Sequence, residues 1–291
     1  MRILRTSLAA VAIACVASLS ACIPNIGDII GGGGSSSPAS VSGKWSTILT
    51  SNHGSSNDVD LELNISQSTG SISAAQAVIL SNSACEFGAD FLAGTVKANQ
   101  VAFTLAFGTG HPTATFTGSV SSNGLTMTGN YKLPSGDCSP SDSGTWAATK
   151  FGDSSGSYDG QFVSGVNQRT IGVIALVQED ATNNLQVTAN LTNGGCVVLN
   201  LTGTAIGSVL QLENANNTIT ILAQAANPNY ATLTTAYTVG GTTCGTADDG
   251  TGSLSKTTAN VVAHSDANHQ LNPMTSSLFE KIRETPHAVR N

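Results

Sequence analysis

Residues 58–80 read DVDLELNISQSTGSISAAQAVIL, and from 58 to 66 the side chains alternate between polar and apolar. A period of two is typical of a strand with one buried face and one solvated face. The apolar positions are Val59, Leu61, Leu63 and Ile65, and the polar positions, which we expect to be solvated, are Asp58, Asp60, Glu62 and Asn64. The turn at 68–70 then predicts an antiparallel hairpin with a second strand at 71–80.

The same period continues on both sides of this hairpin. Asn123-Gly124 between two alternating runs is a strong signal for a tight hairpin. A charged fraction of only 10% and 31 glycines fit short strands and turns better than helices. The first half of the chain therefore predicts up to eight strands, at 45–50, 58–67, 71–80, 91–97, 100–107, 113–120, 125–133 and 144–150.

The whole pattern occurs twice. Gly43-Lys44-Trp45 recurs 113 residues later as Gly156-Ser157-Tyr158, and Cys138 recurs 106 residues later as Cys244. We also align Ile65-Ser66-Gln67 with Leu176-Val177-Gln178, and Gly144-Thr145-Trp146 with Gly252-Ser253-Leu254. Nearly steady offsets indicate an internal duplication. The second copy predicts strands at 158–163, 170–178, 185–191, 197–205, 209–213, 218–224, 231–239 and 252–256.

Short connections between these strands indicate a meander. Eight meandering strands can close on themselves, which removes the exposed edges that invite aggregation. We therefore predict an all-β fold of two tandem antiparallel meander domains, repeat 1 at 41–150 and repeat 2 at 155–257, each an approximately eight-stranded small barrel. A two-sheet β-sandwich is the alternative for each repeat. The tail at 258–291 loses the pattern, and we predict that it is mostly disordered.

The first residues have the layout of a secretory signal. Arg2 and Arg5 precede an apolar run of about 12 residues, which is shorter than the roughly 20 that a membrane-spanning helix needs. The string Leu19-Ser20-Ala21-Cys22 resembles the lipobox of bacterial lipoproteins. That resemblance implies cleavage of residues 1–21 and acylation of Cys22, whose acyl chains would anchor the protein to a membrane.

Residues 22–40 then form the lipid anchor and a linker rich in Gly and Ser. Such a linker has an r.m.s. reach of roughly 20 to 25 Å, so the folded part would lie close to the membrane. Ile23 follows Cys22 where some lipoproteins carry an aspartate, and this resembles sorting to the outer membrane. We therefore predict an exported protein that is lipid-anchored to a bacterial membrane, the outer membrane where there are two.

Four cysteines remain after the predicted cleavage site, one pair in each repeat: Cys85, Cys138, Cys196 and Cys244. Of the three possible connectivities, the duplication favours Cys85 with Cys138 and Cys196 with Cys244, because each repeat then closes its own disulfide. Export to an oxidising compartment makes these bonds expected. A metal site would need Cys or His residues two to four apart, which this sequence lacks, so we predict no metal and no cofactor.

The charge pattern disfavours nucleic acid as a partner. The net charge is −7, and basic residues such as Lys44, Lys97 and Lys132 occur singly rather than in the clusters that phosphates require. None of the five histidines lies in the second repeat, and in a chain this rich in serine the coexistence of Ser and His does not indicate a nucleophile with its base and orienting carboxylate. We therefore predict that the protein is not an enzyme.

Two resemblances bear on function. Gly43-Lys44-Trp45 on the first strand of an eight-stranded meander resembles the calycins, the group of lipocalins and avidins, and implies a barrel that can hold a ligand. The whole repeat, from Gly43 to Trp146, resembles uncharacterised β-domains in lipoproteins of soil bacteria such as acidobacteria, and implies no activity.

We predict a membrane-anchored envelope protein that serves as a structural or interaction module with an envelope partner. The alternative is binding of a small apolar ligand inside a barrel. The residues that would line such a site are Trp45, Val59, Leu61, Phe103 and Leu105. Trp45 and Trp146 could instead plug the first barrel where its first and last strands meet.

Overall fold

The structure is a computed structural model that describes residues 37–54, 59–80, 91–106, 113–135, 141–192, 198–240 and 247–257. These ranges contain sixteen strands and no helix. The strands of the first half are β1 (Gly43–Ser51), β2 (Val59–Ser68), β3 (Ser71–Leu80), β4 (Phe91–Lys97), β5 (Gln100–Ala106), β6 (Thr113–Val120), β7 (Thr126–Leu133) and β8 (Asp142–Phe151). Those of the second half are β9 (Gly156–Ser164), β10 (Thr170–Glu179), β11 (Asn184–Thr192), β12 (Val198–Ile206), β13 (Val209–Glu213), β14 (Ile219–Ala225), β15 (Thr232–Val239) and β16 (Asp248–Thr257).

Each half of the chain forms a closed eight-stranded barrel. Every strand pairs antiparallel with the next, and the seams are closed by β1 with β8 and by β9 with β16. The prediction of two all-β meander barrels is confirmed, and the sandwich alternative is wrong. Within the described ranges, no helix is long and apolar enough to cross a membrane. The predicted signal peptide, the lipid anchor and the tail at 258–291 lie outside the described residues.

Aromatic side chains fill the interior of the first barrel. Phe103 and Phe116 stack with their centroids 4.5 Å apart, and Trp146 meets the two rings edge-on at 5.5 Å and 6.2 Å. Tyr131 lies 6.1 Å from Phe116 on the opposite side. Each such pair contributes about 1 kcal/mol beyond its buried area. These residues lie on adjacent strands at alternate positions, so the period of two in the sequence determines the core.

The second barrel has an aliphatic middle and aromatic ends. Its central residues are aliphatic and buried, and include Val173, Ala175, Val187, Ala189 and Leu201. Phe162 and Tyr237 lie 5.1 Å apart near one end, and Tyr158 and Tyr230 are buried near the other.

The strands of a meander run alternately in opposite directions, which fixes the end from which each connection leaves. Connections β3–β4 and β7–β8 leave the first barrel at one end, and β11–β12 and β15–β16 leave the second at the corresponding end. We call this the cysteine end, because the four connections carry Cys85, Cys138, Cys196 and Cys244, all outside the described residues. Among the described residues, the β3–β4 ladder has three residue pairs and the β11–β12 ladder has seven.

Candidate functional site at the joint between the barrels

The five residues predicted to line a ligand site all lie in the core of the first barrel. They are no more than 7% exposed, and they belong to one contiguous apolar cluster: Trp45, Val59, Leu61, Phe103 and Leu105. Their position is that of an interior lining, and whether they contact a ligand stays a prediction. Cys22 and the four paired cysteines lie outside the described residues, so the predicted anchor and disulfides also stay predictions.

A carboxylate holds the seam of each barrel together at the cysteine end. In the first barrel, Tyr131 donates to Oδ2 of Asp142 at 2.6 Å and Ser51 donates to Oδ1 at 2.8 Å. In the second barrel, Tyr237 donates to Oδ2 of Asp248 at 2.9 Å and Ser164 donates to Oδ1 at 2.7 Å. We call each set an Asp clasp, because it connects the last strand to the first strand and to the strand before it. Nothing in the sequence motifs singled these residues out, but the offsets of 113 and 106 relate them pairwise.

In the first barrel, but not in the second, a histidine also contacts the clasp carboxylate, and this residue is His53. Its Nδ1 lies 2.8 Å from Oδ1 of Asp142, so a histidine and a carboxylate are paired beside a serine. The hydroxyl of Ser51 donates to the carboxylate, and since a hydroxyl has one hydrogen, this geometry does not make Ser51 a nucleophile activated by His53. The second barrel has the same serine–carboxylate bond without a histidine, which favours a structural role for the clasp.

An aromatic residue plugs each barrel at the opposite end. Nε1 of Trp45 donates to the carbonyl of Val41 at 2.7 Å, and the hydroxyl of Tyr158 donates to the carbonyl of Ser154 at 2.7 Å. A lysine of the last strand lies over each ring, at 5.6 Å for Lys150 over Trp45 and 5.9 Å for Lys256 over Tyr158. The Gly-x-Trp and Gly-x-Tyr motifs therefore mark equivalent plugs, and Trp45 occupies the seam position predicted for it.

The strand registers correct two of the residue alignments that the sequence predicted between the repeats. Ser51 pairs with Gly144 and Ser164 pairs with Gly250, so the equivalent of Gly144 is Gly250 rather than the predicted Gly252. By the same registers, Ile65 corresponds to Val177, because each pairs with the glycine that begins the first strand of its barrel. A side chain at Gly144 would overlap the carbonyl of Thr50, and at Gly250 that of Val163, so close strand contact requires glycine at both positions.

The two barrels meet along a joint formed by the outer face of β1–β3 in the first barrel. The contacting parts of the second barrel are the end of β10, the β12–β13 turn and the β14–β15 connection. Phe151, the last residue of β8, packs edge-on against Tyr230 at 5.4 Å and belongs to the core of the second barrel. The first barrel therefore completes one end of the core of the second.

A buried ion pair crosses this joint. Nζ of Lys44 on β1 contacts Oε1 of Glu179 on β10, and the two side chains are 4% and 5% exposed. Oε2 of Glu179 accepts hydrogen bonds from the amide and the hydroxyl of Ser154 in the linker, at 2.7 Å and 2.6 Å. Lys44 also lies 4.9 Å from the ring centroid of Tyr230. Burial lowers the pKa of Lys44, which the bond to Glu179 only partly offsets.

A second carboxylate, Glu62 on β2, is fully buried at the same joint. Its Oε2 accepts the amide of Ser208 at 2.6 Å, and its Oε1 accepts the hydroxyls of Ser208 and Ser46, each at 2.9 Å. Burial raises the pKa of Glu62 to about 7, although all three hydrogen bonds act in the other direction. This carboxyl group is therefore suited to gain and lose a proton near neutral pH.

Asn64 lies two residues after Glu62 on the same face of β2 and extends the contact with the second barrel. Its Nδ2 donates to the carbonyl of Ala205 at 2.7 Å, and its Oδ1 accepts the amide of Gly207 at 3.4 Å. Gly207 has φ of +54°, and a side chain there would overlap Oε2 of Glu62, so the β12–β13 turn requires glycine. The turn presents its backbone to the first barrel.

The expectation that the polar face of β2 is solvated is wrong for Glu62 and Asn64, which are 0% and 4% exposed. The period of two correctly places them outside the barrel, but it cannot show that a neighbouring barrel covers this face. No described cluster of three or more His, Cys, Asp or Glu residues could hold a metal ion.

No protein-family model matches this chain, and no curated protein matches it. A protein of unknown function from the DUF3598 family of Nostoc punctiforme is similar over 74% of this chain and 96% of its own, with 12% identity and a TM-score of 0.25. A double mutant of the vaccine antigen Transferrin Binding Protein B from Haemophilus parasuis is similar over 72% of this chain and 66% of its own, with 9% identity and a TM-score of 0.24. Likenesses at this level carry no argument about function, and the resemblances to calycins and to acidobacterial lipoproteins stay predictions.

Proposed function

We propose that this protein is a lipid-anchored envelope protein without enzymatic activity, and that its two barrels serve as a structural or interaction module. The observation that supports this proposal is the packed interior of the first barrel. Phe103 on β5, Phe116 on β6 and Trp146 on β8 pack against one another inside the barrel, so aromatic side chains occupy part of the space that a binding protein would leave for its ligand. The signal layout and Leu19-Ser20-Ala21-Cys22 support the anchor.

The joint supports a module that acts as one unit. Lys44, Glu62 and Glu179 are buried between the barrels, so separating the barrels would break a buried ion pair and the two hydrogen bonds that Ser208 donates to Glu62. A two-barrel unit on a flexible linker would present strands rich in Thr and Ser to an envelope partner.

Binding of a small apolar ligand remains a second candidate, and one observation favours it. Oγ1 of Thr47 is buried in the first barrel and has no hydrogen-bond partner among the described residues. Buried hydroxyls are almost always paired with protein, water or ligand, so a bound molecule with a polar atom would satisfy this one.

Native mass spectrometry separates the two candidates. The chain is purified from its own host under non-reducing conditions, alongside a Thr47→Val variant that keeps the shape and removes the hydroxyl. A mass equal to that of the acylated chain, lower by roughly 4 Da for two disulfides, supports the structural module. A further discrete mass that is lost on denaturation, and is depleted in Thr47→Val, would overturn it in favour of ligand binding.

The anchor is tested separately. Membrane fractionation of the host should recover the wild-type protein with the membrane, and a Cys22→Ala variant in the soluble or unprocessed fraction. Recovery of Cys22→Ala with the membrane as a processed chain would contradict the lipid anchor.

A further inference from the structure

We propose that Glu62 makes the joint a proton-controlled latch: when protonated it holds the β12–β13 turn against β2, and its ionisation loosens that contact. The latch consists of Glu62, Ser46 and Ser208, with Gly207 closing over the carboxylate. This inference concerns movement between the barrels and does not depend on which partner or ligand the protein has.

The geometry accommodates both protonation states. The amide of Ser208 donates to Oε2 in either state, because a backbone N–H has no alternative role. The hydroxyls of Ser46 and Ser208 both donate to Oε1 of the ionised group. A serine hydroxyl can also accept, so after one of them rotates, a protonated Glu62 donates its own hydrogen to that serine and still takes part in three hydrogen bonds.

The charged neighbours do not supply a cation that would keep Glu62 ionised. On its own strand, Asp60 is a like charge that raises the pKa of Glu62 further. On β1, the ammonium of Lys44 is held by Glu179 of β10. On the β14–β15 connection, Tyr230 is neutral because burial raises the pKa of its hydroxyl far above the physiological range. The β12–β13 turn contributes only Gly207 and Ser208, which carry no charge.

The direction of the effect follows from linkage. With the joint open, Glu62 lies on a solvated strand face, where its pKa is near the ordinary 4.5, whereas closure raises this pKa to about 7. The closed state therefore binds the proton more tightly. Closure is most favourable below pH 4.5 and weakens as the pH rises through 7. Between pH 5 and pH 8 the equilibrium constant for opening should increase on the order of 10- to 100-fold.

Hydrogen exchange of the Ser208 amide measures this opening directly, because that amide is bound to Glu62. Exchange is followed on the full-length protein between pH 5 and pH 8 and corrected for the intrinsic pH dependence of exchange. The Val187 amide in β11 of the second barrel is the internal reference for unfolding of that barrel. We expect the opening constant at Ser208 to rise 10- to 100-fold over this range, with little change at Val187.

Matched variants identify the group responsible. Glu62→Gln cannot ionise and should abolish the pH dependence, whereas Asp159→Asn, which removes an exposed carboxylate of β9, should leave it unchanged. If Glu62→Gln does not fold, Ser208→Ala removes one donor to the carboxylate and should move the midpoint to higher pH, as followed by the NMR shift of the Glu62 carboxyl carbon. A Glu62 midpoint below pH 5, or equal pH dependence in the wild type and Glu62→Gln, would overturn the latch.

Discussion

The outer face of β2 in the first barrel and the outer face of β10 in the second occupy the same register but have different surroundings. Ser46 pairs with Glu62 and Lys44 with Asn64, while at the equivalent positions Asp159 pairs with Ile174 and Ser157 with Leu176. Glu62 and Asn64 are buried at the joint, whereas Ile174 and Leu176 are 56% and 48% exposed.

The seams of the two barrels, in contrast, are alike in detail. Each has an Asp clasp at the cysteine end and an aromatic plug under a lysine at the other. The seams are alike and the outer faces are not. This indicates that the seam residues are needed to close each barrel, whereas the outer-face residues of β2 are needed only where the first barrel packs against the second. Each barrel has to close, so the residues that close it occur in both repeats. Only the first barrel uses this outer face to contact its neighbour, so those residues occur once.

Breaking the predicted disulfides should have the largest effect and the same effect in both barrels. Cys138→Ser and Cys244→Ser would each open a loop of about 50 residues, which costs about 4 kcal/mol of unfolding free energy on the chain-entropy description. Urea unfolding with and without reductant measures this cost, and non-reducing peptide mapping should join Cys85 to Cys138 and Cys196 to Cys244. Variants as stable as the oxidised wild type, or a bridge between the repeats, would contradict the pairing.

Replacing the buried lysine of the joint should lower the unfolding free energy much more than the equivalent substitution in the second barrel. Lys44→Met leaves Glu179 buried without its ammonium partner, at a cost of about 3 kcal/mol. The repeat-equivalent change, Ser157→Met, lies on an exposed position and should alter the unfolding free energy by less than about 0.5 kcal/mol. Thermal and urea unfolding of the two variants give the comparison. Equal costs at both positions would mean that the ion pair contributes nothing to the joint.

Replacing the clasp carboxylates should cost less, because these groups are partly exposed. Asp142→Asn and Asp248→Asn weaken the bonds from the tyrosine and the serine, and we expect each to lower the unfolding free energy by about 1 to 2 kcal/mol. Burial alone would raise the pKa of Asp142, but the hydrogen bonds from Tyr131, His53 and Ser51 outweigh it and lower the pKa below the ordinary 3.8.

The sign of the resulting pH dependence is fixed by that lowered pKa. The stabilisation from Asp142 is complete above pH 3.8 and is lost as the pH falls through the folded-state pKa. Acid unfolding of the wild type should therefore show a loss of stability that Asp142→Asn lacks. An acid profile that is unchanged by the substitution would show that the clasp does not contribute through its charge.

The smallest effect is expected on the exposed face of the second barrel. Ile174→Thr and Leu176→Thr should each change the unfolding free energy by less than about 0.5 kcal/mol, because both side chains are about half exposed and threonine keeps a strand-forming shape. The same substitution at Glu62 should cost more, since it leaves the Ser208 amide without its acceptor. A cost above about 1 kcal/mol at Ile174 would show that this face is covered.

Most of the fold could be predicted from the sequence, because the period of two sets both the strands and the direction of each side chain. The strand predicted at 71–80 is β3, and Asn123-Gly124 lies between β6 and β7 as expected. The alignment of the last strands was shifted by two residues, since Gly250 and Gly252 both follow the pattern and only pairing with Ser164 distinguishes them.

The candidate site could not be predicted in the same way. Glu62 and Asn64 obey the alternation like any solvated residue. They are buried by the turn at Gly207-Ser208, which lies 143 residues after Asn64 and 146 residues after Glu62 respectively. The one local signal is that a glycine followed by a serine stands at 207–208 where the first repeat has Ala98-Asn99 in the β4–β5 turn. A contact between two folded barrels leaves no periodic pattern in the sequence from which it could be predicted.

Phe151 gives the two barrels an order of assembly. It ends β8, where it pairs with Lys44, yet its side chain packs in the core of the second barrel beside Tyr230. A chain that is synthesised and exported from its N-terminus makes the residues of the first barrel available for folding before those of β16. We therefore expect the first barrel to hold Phe151 in a fixed position while the second closes around it, and so to act as a template for the second.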